Sequence, residues 1–232
     1  MALDATLLDL AESSGVGFLR LYRWSPHCLS FGRHEPARRR YDRALIEQLG
    51  LDLVRRPTGG RAVWHARELT YAVAAPIAWF GGLAESYRMI HAVLAEAVRS
   101  LGAEATLAPA TPVPGVGAGA CFASPAGGEV LVGGRKLVGS AQLRQGTAFL
   151  QHGSLLLEDD QATVTRVTLG EAPPSDDTPL ARALGRAVSF AEAGAAVERA
   201  FAGAATLAAG APPPADPRHL ARFRDPAWTW QR

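Results

Sequence analysis

The opening stretch MALDATLLDLAES sets Leu3, Leu7, Leu10 and Ala11 at helical spacing, interrupted by acidic residues, and predicts a first helix. GFLRLYRW then alternates large side chains with others, the period of a strand, and CLSFG reads as a second strand. In YDRALIEQLG, Leu45, Ile46 and Leu49 share one side and Gly50 follows, which predicts a short helix closed by a glycine. LDLVRR reads as a strand running into the stretch RRPTGGRAVWH. Beyond it, RAVWH and ELTYAVAAP look like paired strands, because Thr, Tyr and Val fit a pleated surface.

The strongest periodicity covers residues 85–101, where Ile90, Val93, Leu94, Ala97, Val98 and Leu101 form an apolar stripe that ends before Gly102. This helix is expected to pack on a sheet. Residues 103–119 carry Pro and Gly without a period and predict a long, mobile surface loop. EVLVGGRKLV holds two apolar runs around Gly133-Gly134, a hairpin signal, and FLQHGSLLLE supplies another strand. After residue 159 the chain turns to Ala, Pro and Asp, with one helix expected around 186–202 on Val188, Val197 and Phe201. GAPPPADP breaks the chain at 210–217, and the two tryptophans of FRDPAWTWQR are expected to anchor the tail. No internal repeat is evident.

Composition narrows the class. With 232 residues, 48% hydrophobic and 20% charged, the chain has the make-up of a globular protein of one large domain or two modest ones. A net charge of +2, from 24 basic and 22 acidic residues, is too balanced to make nucleic acid the main partner. No apolar run approaches the ~20 residues of a membrane-spanning helix, and the start lacks the basic region and cleavage site of a secretion signal. Two cysteines, Cys28 and Cys121, make no disulfide framework and suit a reducing cytosol.

Candidate chemistry gathers in three stretches. In RRPTGGRAVWH the glycine pair permits positive φ and lets a ligand approach main-chain N–H groups, although the fragment alone equally fits a basic surface turn. Cys121 stands in GACFASPAGGEVLVGGRKLVGSAQ, and a thiol there is a nucleophile only as the thiolate. Lys136, fifteen positions on, is the candidate activator, since a cation within a few ångströms favours the thiolate. Taken singly, a free cysteine is a small buried hydrophobe and a hairpin lysine a solvated charge. The Gly139-Ser140-Ala141 stretch lets a substrate lie along the strand, and His152-Gly153-Ser154 sets a histidine beside a glycine near a strand end. Cys28, in an apolar strand with no activator beside it, reads as structural. His65, His91 and His152 are too scattered for a metal site, and the chain has no GxxxxGK[ST] loop.

In order, RRPTGGRAVWHARELTYAV, GRKLVGSAQLRQ and LQHGSLLL resemble the biotin/lipoate A/B protein ligase superfamily over roughly residues 2–157, with MALDATLL similar to its opening helix. Within it, the likeness is to cysteine-dependent octanoyltransferases of the Gram-positive type. Their pattern includes CF and, fifteen residues from the cysteine, the lysine of GRK, as Cys121 and Lys136 stand here. The resemblance implies an α/β (α+β) fold of mixed sheets flanked by helices, one catalytic domain over residues 1–232 with a helical part after 158, and no cofactor. It also implies transfer of octanoyl from acyl carrier protein, through a thioester on Cys121, to a lipoyl-domain lysine such as that of the glycine cleavage H protein or a 2-oxoacid dehydrogenase E2. Lys136 would lower the pKa of the cysteine. Arg56, Thr58, Gly59, Gly60, Arg61 and His65 would wall the acyl site, opposite Gly139, Ser140, His152 and Gly153. The strand that usually precedes the opening helix is missing, which would remove an edge strand.

Two rivals remain. An ATP-dependent lipoate-protein ligase would use the lysine matching Lys136 to bind an acyl adenylate. Such ligases generally carry three glycines where this chain has GGR, and they lack the CF cysteine. A non-catalytic acyl- or cofactor-binding protein would have no use for Cys121 and Lys136 together. Carrier and lipoyl proteins are acidic, so Arg38, Arg39, Arg40 and Arg43 form a candidate docking patch, which otherwise is a solvated basic turn.

Overall fold

A computed structural model describes residues 1–109, 127–159, 161–171 and 176–232. In chain order these form α1 (Ala2–Ser14), β1 (Phe18–Tyr22), β2 (Cys28–Phe31), α2 (Ala37–Arg40), α3 (Arg43–Gln48), β3 (Asp52–Arg55), β4 (Val63–His65) and β5 (Glu68–Pro76). There follow α4 (Leu83–Ser100), β6 (Ala105–Leu107), β7 (Val130–Val132), β8 (Arg135–Lys136), β9 (Val138–Gln145) and β10 (Ala148–Leu156). Helices complete the chain: α5 (Ala162–Val167), α6 (Leu180–Leu184), α7 (Phe190–Ala204), α8 (Pro217–Arg224) and α9 (Pro226–Thr229). The α/β reading of mixed sheets flanked by helices holds. Among the described residues, no helix is long and apolar enough to cross a membrane.

The central sheet is antiparallel with order β1-β5-β10-β9. Its two middle strands are buried on both faces, with apolar residues at most positions and a polar group in the middle of β10 and at the start of β5. Tyr71, Val73, Ala75 and Phe149 face a core shared with α4 and α7, whereas Ala72, Ala74, Ala148 and Leu150 meet Leu7, Leu8 and Ala11 of α1. A second sheet, β3-β2-β4, combines a parallel and an antiparallel pair, and a third is β6-β7-β8.

Strand β4 pairs with β2 and not, as the sequence suggests, with β5. Both edges of β5 are already taken by β1 and β10, so the turn at Ala66 carries the chain from one sheet to another. The stretch expected to be a loop from residue 103 begins with β6, a three-residue strand too short to show a period. The rest of that loop, 110–119, lies outside the described residues. The hairpin between β7 and β8 is present, and Gly133 and Gly134 both adopt positive φ (58° and 75°), as a tight two-residue connection demands. Helix α7 starts four residues later than 186, where the Ser189 hydroxyl caps the Glu192 N–H at 3.1 Å; Val188 is buried ahead of the cap. On α1 the buried face includes Leu7, Leu8 and Ala11 but also Asp4, so the acidic residue that interrupts the apolar stripe lies inside the protein.

The tail is anchored as its tryptophans suggest, with Trp230 packed on Phe31. Arg55 supplies the tie. Fully buried at the end of β3, its guanidinium donates to the carbonyls of Gly32 (2.6 Å), Arg33 (3.2 Å), Glu35 (2.9 Å), Trp228 (3.1 Å) and Thr229 (2.9 Å). Trp228 Nε1 returns a bond to the Arg55 carbonyl at 3.0 Å. Arg55→Ala removes the donor that ties these carbonyls together, although those of Gly32 and Glu35 keep main-chain donors and that of Arg33 keeps Gln231, and is expected to cost ~3 kcal/mol, lowering Tm by ~6–12 °C in thermal denaturation. Arg55→Lys should recover little of it, because a single ammonium does not span the fork. Gly153→Ala is expected to cost ~1–3 kcal/mol in the same assay, since the added methyl would sit 2.5 Å from the Gly139 carbonyl oxygen and 2.7 Å from the Tyr71 ring. An unchanged Tm in either variant would contradict the packing described.

Candidate active site

A cavity of about 330 Å³, counting its open mouth, lies where β9 and β10 meet β4, β5 and the chain just after β3. Arg56, His65, Gly139, Ser140, His152 and Gly153, named from the sequence, line it together with Tyr22, Val63, Thr70 and Ser154. Thr58 reaches it through His152, whose Nε2 is 2.6 Å from the Thr58 hydroxyl. Gly59, Gly60 and Arg61 are not among the lining residues. They form the loop that Arg56 holds, its Nη2 donating to the carbonyls of Gly59 (3.2 Å) and Arg61 (2.7 Å) and its Nη1 to Ser30 O (3.0 Å) and Oγ (2.6 Å). Gly60 has φ +90°, and Gly32 lies so close beneath that a methyl there would overlap the Gly60 carbonyl. Gly60 and Gly32 therefore set the shape of the loop.

Most polar atoms around the cavity are spent on one another. His65 Nδ1 is 2.8 Å from Glu68 Oε1, and its Nε2 is 2.6 Å from the Ser30 hydroxyl. The same Glu68 oxygen accepts from Thr70 and Ser154, Trp24 Nε1 donates to Thr70 at 2.9 Å, and the Trp24 ring stacks on His65 with centroids 4.5 Å apart. Glu68 Oε2 is left without a hydrogen-bond partner.

On the α1 side, Asp4 accepts from Arg20 (2.5 Å) and Tyr22 (2.8 Å) and stands 3.5 Å from His152 Nδ1, a Coulomb contact too poorly formed to be a hydrogen bond. Burial would raise the Asp4 carboxyl, yet the N-terminal ammonium, His152 and Arg20 hold it below the ordinary carboxylate range. Burial also lowers His152, which Asp4 only partly offsets.

On the α4 side, Gln142, Gln151, Tyr71, Ser140 and His91 are joined in one chain of hydrogen bonds. Nearby, Lys136 is only 2% exposed, and its Nζ pairs with Glu129 Oε1 at 2.8 Å; Tyr87 donates to the same oxygen at 3.2 Å. The solvated hairpin lysine is thereby excluded. Cys121 lies outside the described residues. Cys28 is buried and pushed up to about 12, chiefly by that burial, in keeping with a structural thiol.

Asp4, Glu68, Tyr71, His91 and Glu129 were not singled out by their sequence surroundings. A signal exists for two of them: Asp4 shares helical spacing with Leu7, Leu8 and Ala11, and His91 with Leu94 and Val98, so each sits on an apolar stripe.

The lipoyl protein ligase A/B catalytic domain matches residues 1–202. The octanoyltransferase LipM of Carboxydothermus hydrogenoformans is 39% identical over 171 residues, 72% of this chain and 63% of the relative. That of Symbiobacterium thermophilum is 38% identical over 205 residues, 82% of this chain and 75% of the relative. The chain thus spans a little over three-fifths of the first relative's length. Among solved structures, lipoate-protein ligase A bound with ATP superposes with a TM-score of 0.71 at 22% identity, over 87% of this chain and 78% of that one. A bi-partite lipoate protein ligase from Thermoplasma acidophilum gives 0.68 at 20%, over 99% and 89%. These distant likenesses concern the fold, and the family is carried by the domain match and the sequence relatives: the chain belongs to the lipoyl protein ligase A/B catalytic domain family.

Proposed function

We propose that this protein is an octanoyltransferase, moving an octanoyl group from acyl carrier protein to a lipoyl-domain lysine through a thioester on Cys121. The observation that carries the reading is the buried Lys136, held by Glu129 at one end of a hairpin whose other strand leads back toward the cysteine. Burying an ammonium is expensive, so a chain that does so for a hairpin lysine points to a chemical use for it. Supporting this are the names of the relatives, octanoyltransferase LipM, at 36–42% identity.

The reaction balances without ATP. The Cys121 thiolate attacks the thioester carbonyl, forming a new C–S bond as the old one breaks, and the carrier thiolate that leaves takes up the proton Cys121 gave up on ionising. The target amine then attacks the acyl-cysteine, a C–N bond replaces the C–S bond, and the amine proton restores the thiol. Lys136 would stabilise the thiolate and the oxyanions that follow. The acyl chain would lie in the cavity between His65 and His152. Its lining is polar by residue name, but the polar atoms face each other and leave carbon surface for an aliphatic tail.

Acidic partners fit the 37–43 segment only in part. Arg38 and Arg39 are exposed, while Arg40 pairs with Glu35 at 3.4 Å and Arg43 with Glu47 at 2.8 Å. The free pair is therefore the docking candidate.

Incubated with octanoyl carrier protein and no ATP, the protein is expected to gain one octanoyl group by intact mass. The adduct should be labile to hydroxylamine and absent in Cys121→Ser. Modification of a lipoyl domain only with ATP and free acid, and no adduct, would instead make the protein a ligase. Reversing Arg38 and Arg39 to Glu is expected to raise KM for the carrier protein several-fold at low salt and flatten its salt dependence. Kinetics at low salt equal to wild type would remove the patch from the reading.

A further inference from the structure

His91 is fully buried on α4, and nothing in the reaction above uses it. Its Nδ1 lies 2.9 Å from the Tyr87 carbonyl oxygen and its Nε2 lies 2.9 Å from the Ser140 hydroxyl. A carbonyl oxygen only accepts, so Nδ1 must carry a proton. Burial pushes the imidazole down to about 4; the bond to Tyr87 opposes that shift and the charge of Lys136 adds to it, so the ring is neutral near pH 7. A neutral ring protonated at Nδ1 offers a lone pair at Nε2, and the Ser140 proton must fill it.

The direction of the other bonds follows. With its proton given to His91, Ser140 accepts from the Tyr71 hydroxyl, 2.6 Å away, and the Tyr71 oxygen accepts from Gln151 Nε2 at 2.9 Å. Gln151 Oε1 accepts from Gln142 at 2.8 Å. The whole chain from Gln142 to the Tyr87 carbonyl thus runs one way. Ser140 is partly exposed and lines the cavity, and with its one proton committed to His91 its hydroxyl can serve there only as an acceptor.

We propose that His91 is a positioning residue that accepts the Ser140 hydrogen bond, making Ser140 an acceptor for the N–H of the attacking amine and not a donor to the acyl oxygen. This second half rests on the acyl-transfer reading. It assigns Ser140 to the amine step, and leaves the oxyanion to Lys136 or main-chain N–H groups.

Two measurements separate this proposal from the function beneath it. Long-range ¹⁵N–¹H correlation spectra of the whole protein at neutral pH are expected to show His91 neutral with its proton on Nδ1. A proton on Nε2, or an imidazolium, overturns the proposal whether or not the protein transfers acyl groups. A wild-type protein that forms no octanoyl adduct sinks the function alone, and the tautomer measurement still stands.

In single-turnover transfer from the octanoyl-enzyme to a lipoyl domain, His91→Leu is expected to slow the step about tenfold, the weight of one well-placed hydrogen bond, with acylation of Cys121 little changed. His91→Gln, whose side-chain carbonyl can accept the Ser140 proton, should recover most of the rate. In a Ser140→Ala background His91→Leu should add nothing. An equal loss in that background, or equal slowing of acylation and transfer, shows that His91 acts only on the fold and overturns the proposal.

Discussion

Strands β5 and β10 are buried on both faces and yet carry Glu68, Thr70, Tyr71, Gln151, His152 and Ser154. Polar groups so placed are cut off from water and cost several kcal/mol each unless partners reach them. The surrounding elements are arranged to supply those partners. Asp4 from α1 and Thr58 from the glycine loop both meet His152 of β10, while Ser30 from β2 meets His65 of β4 and His91 from α4 meets Ser140 of β9, each beside the central pair. One row shows how tight the fit is: Ser140, Gly153 and Tyr71 are cross-strand neighbours, and only the missing side chain of Gly153 lets the Ser140 and Tyr71 hydroxyls bond across it.

This pairing gives the cavity an uncommon character. Histidines, serines and threonines surround it, but most of their donors and acceptors are directed sideways into the protein framework. What remains toward the interior is mostly carbon, and an apolar ligand can enter without stripping water from most of these polar groups. The ionic pair Lys136–Glu129 is handled in the same way: two buried charges are held against each other and against Tyr87, at a fixed place beside the sheet.

Much of the fold is legible from periodicity alone. The stripe of α4, the glycine pair of the β7–β8 hairpin and the apolar run of β10 each have a local cause, so each element stands where its pattern puts it. Pairing is not local, and there the sequence misleads: β4 and β5 are adjacent in chain but lie in different sheets, because β1 and β10, distant in sequence, occupy both edges of β5. The site divides along the same line. Glycines and histidines are recognisable by type, although His152 and Gly153 stand in the middle of β10 and not near its end, whereas Asp4, Glu68 and Glu129 look like any surface acid until the partner that justifies their burial is known. Arg55 and Arg56 are the sharpest case, two like residues side by side that do different work.

On an extended chain neighbouring side chains point to opposite sides. Arg56 turns to the glycine loop and closes it through Gly59, Arg61 and Ser30, while Arg55 turns away and gathers the carbonyls of Gly32 to Glu35 with those of Trp228 and Thr229. Gly32 in turn presses on Gly60, so the loop beside the cavity is braced from both arginines. The tail that completes this brace lies beyond residue 202, outside the stretch that matches the family domain. A segment outside that match therefore helps set the shape of the loop from which Thr58 meets His152. Its tolerance to change is governed by the carbonyls it presents to Arg55, which any residue supplies, and by the aromatic anchors Trp228 and Trp230, which few can replace.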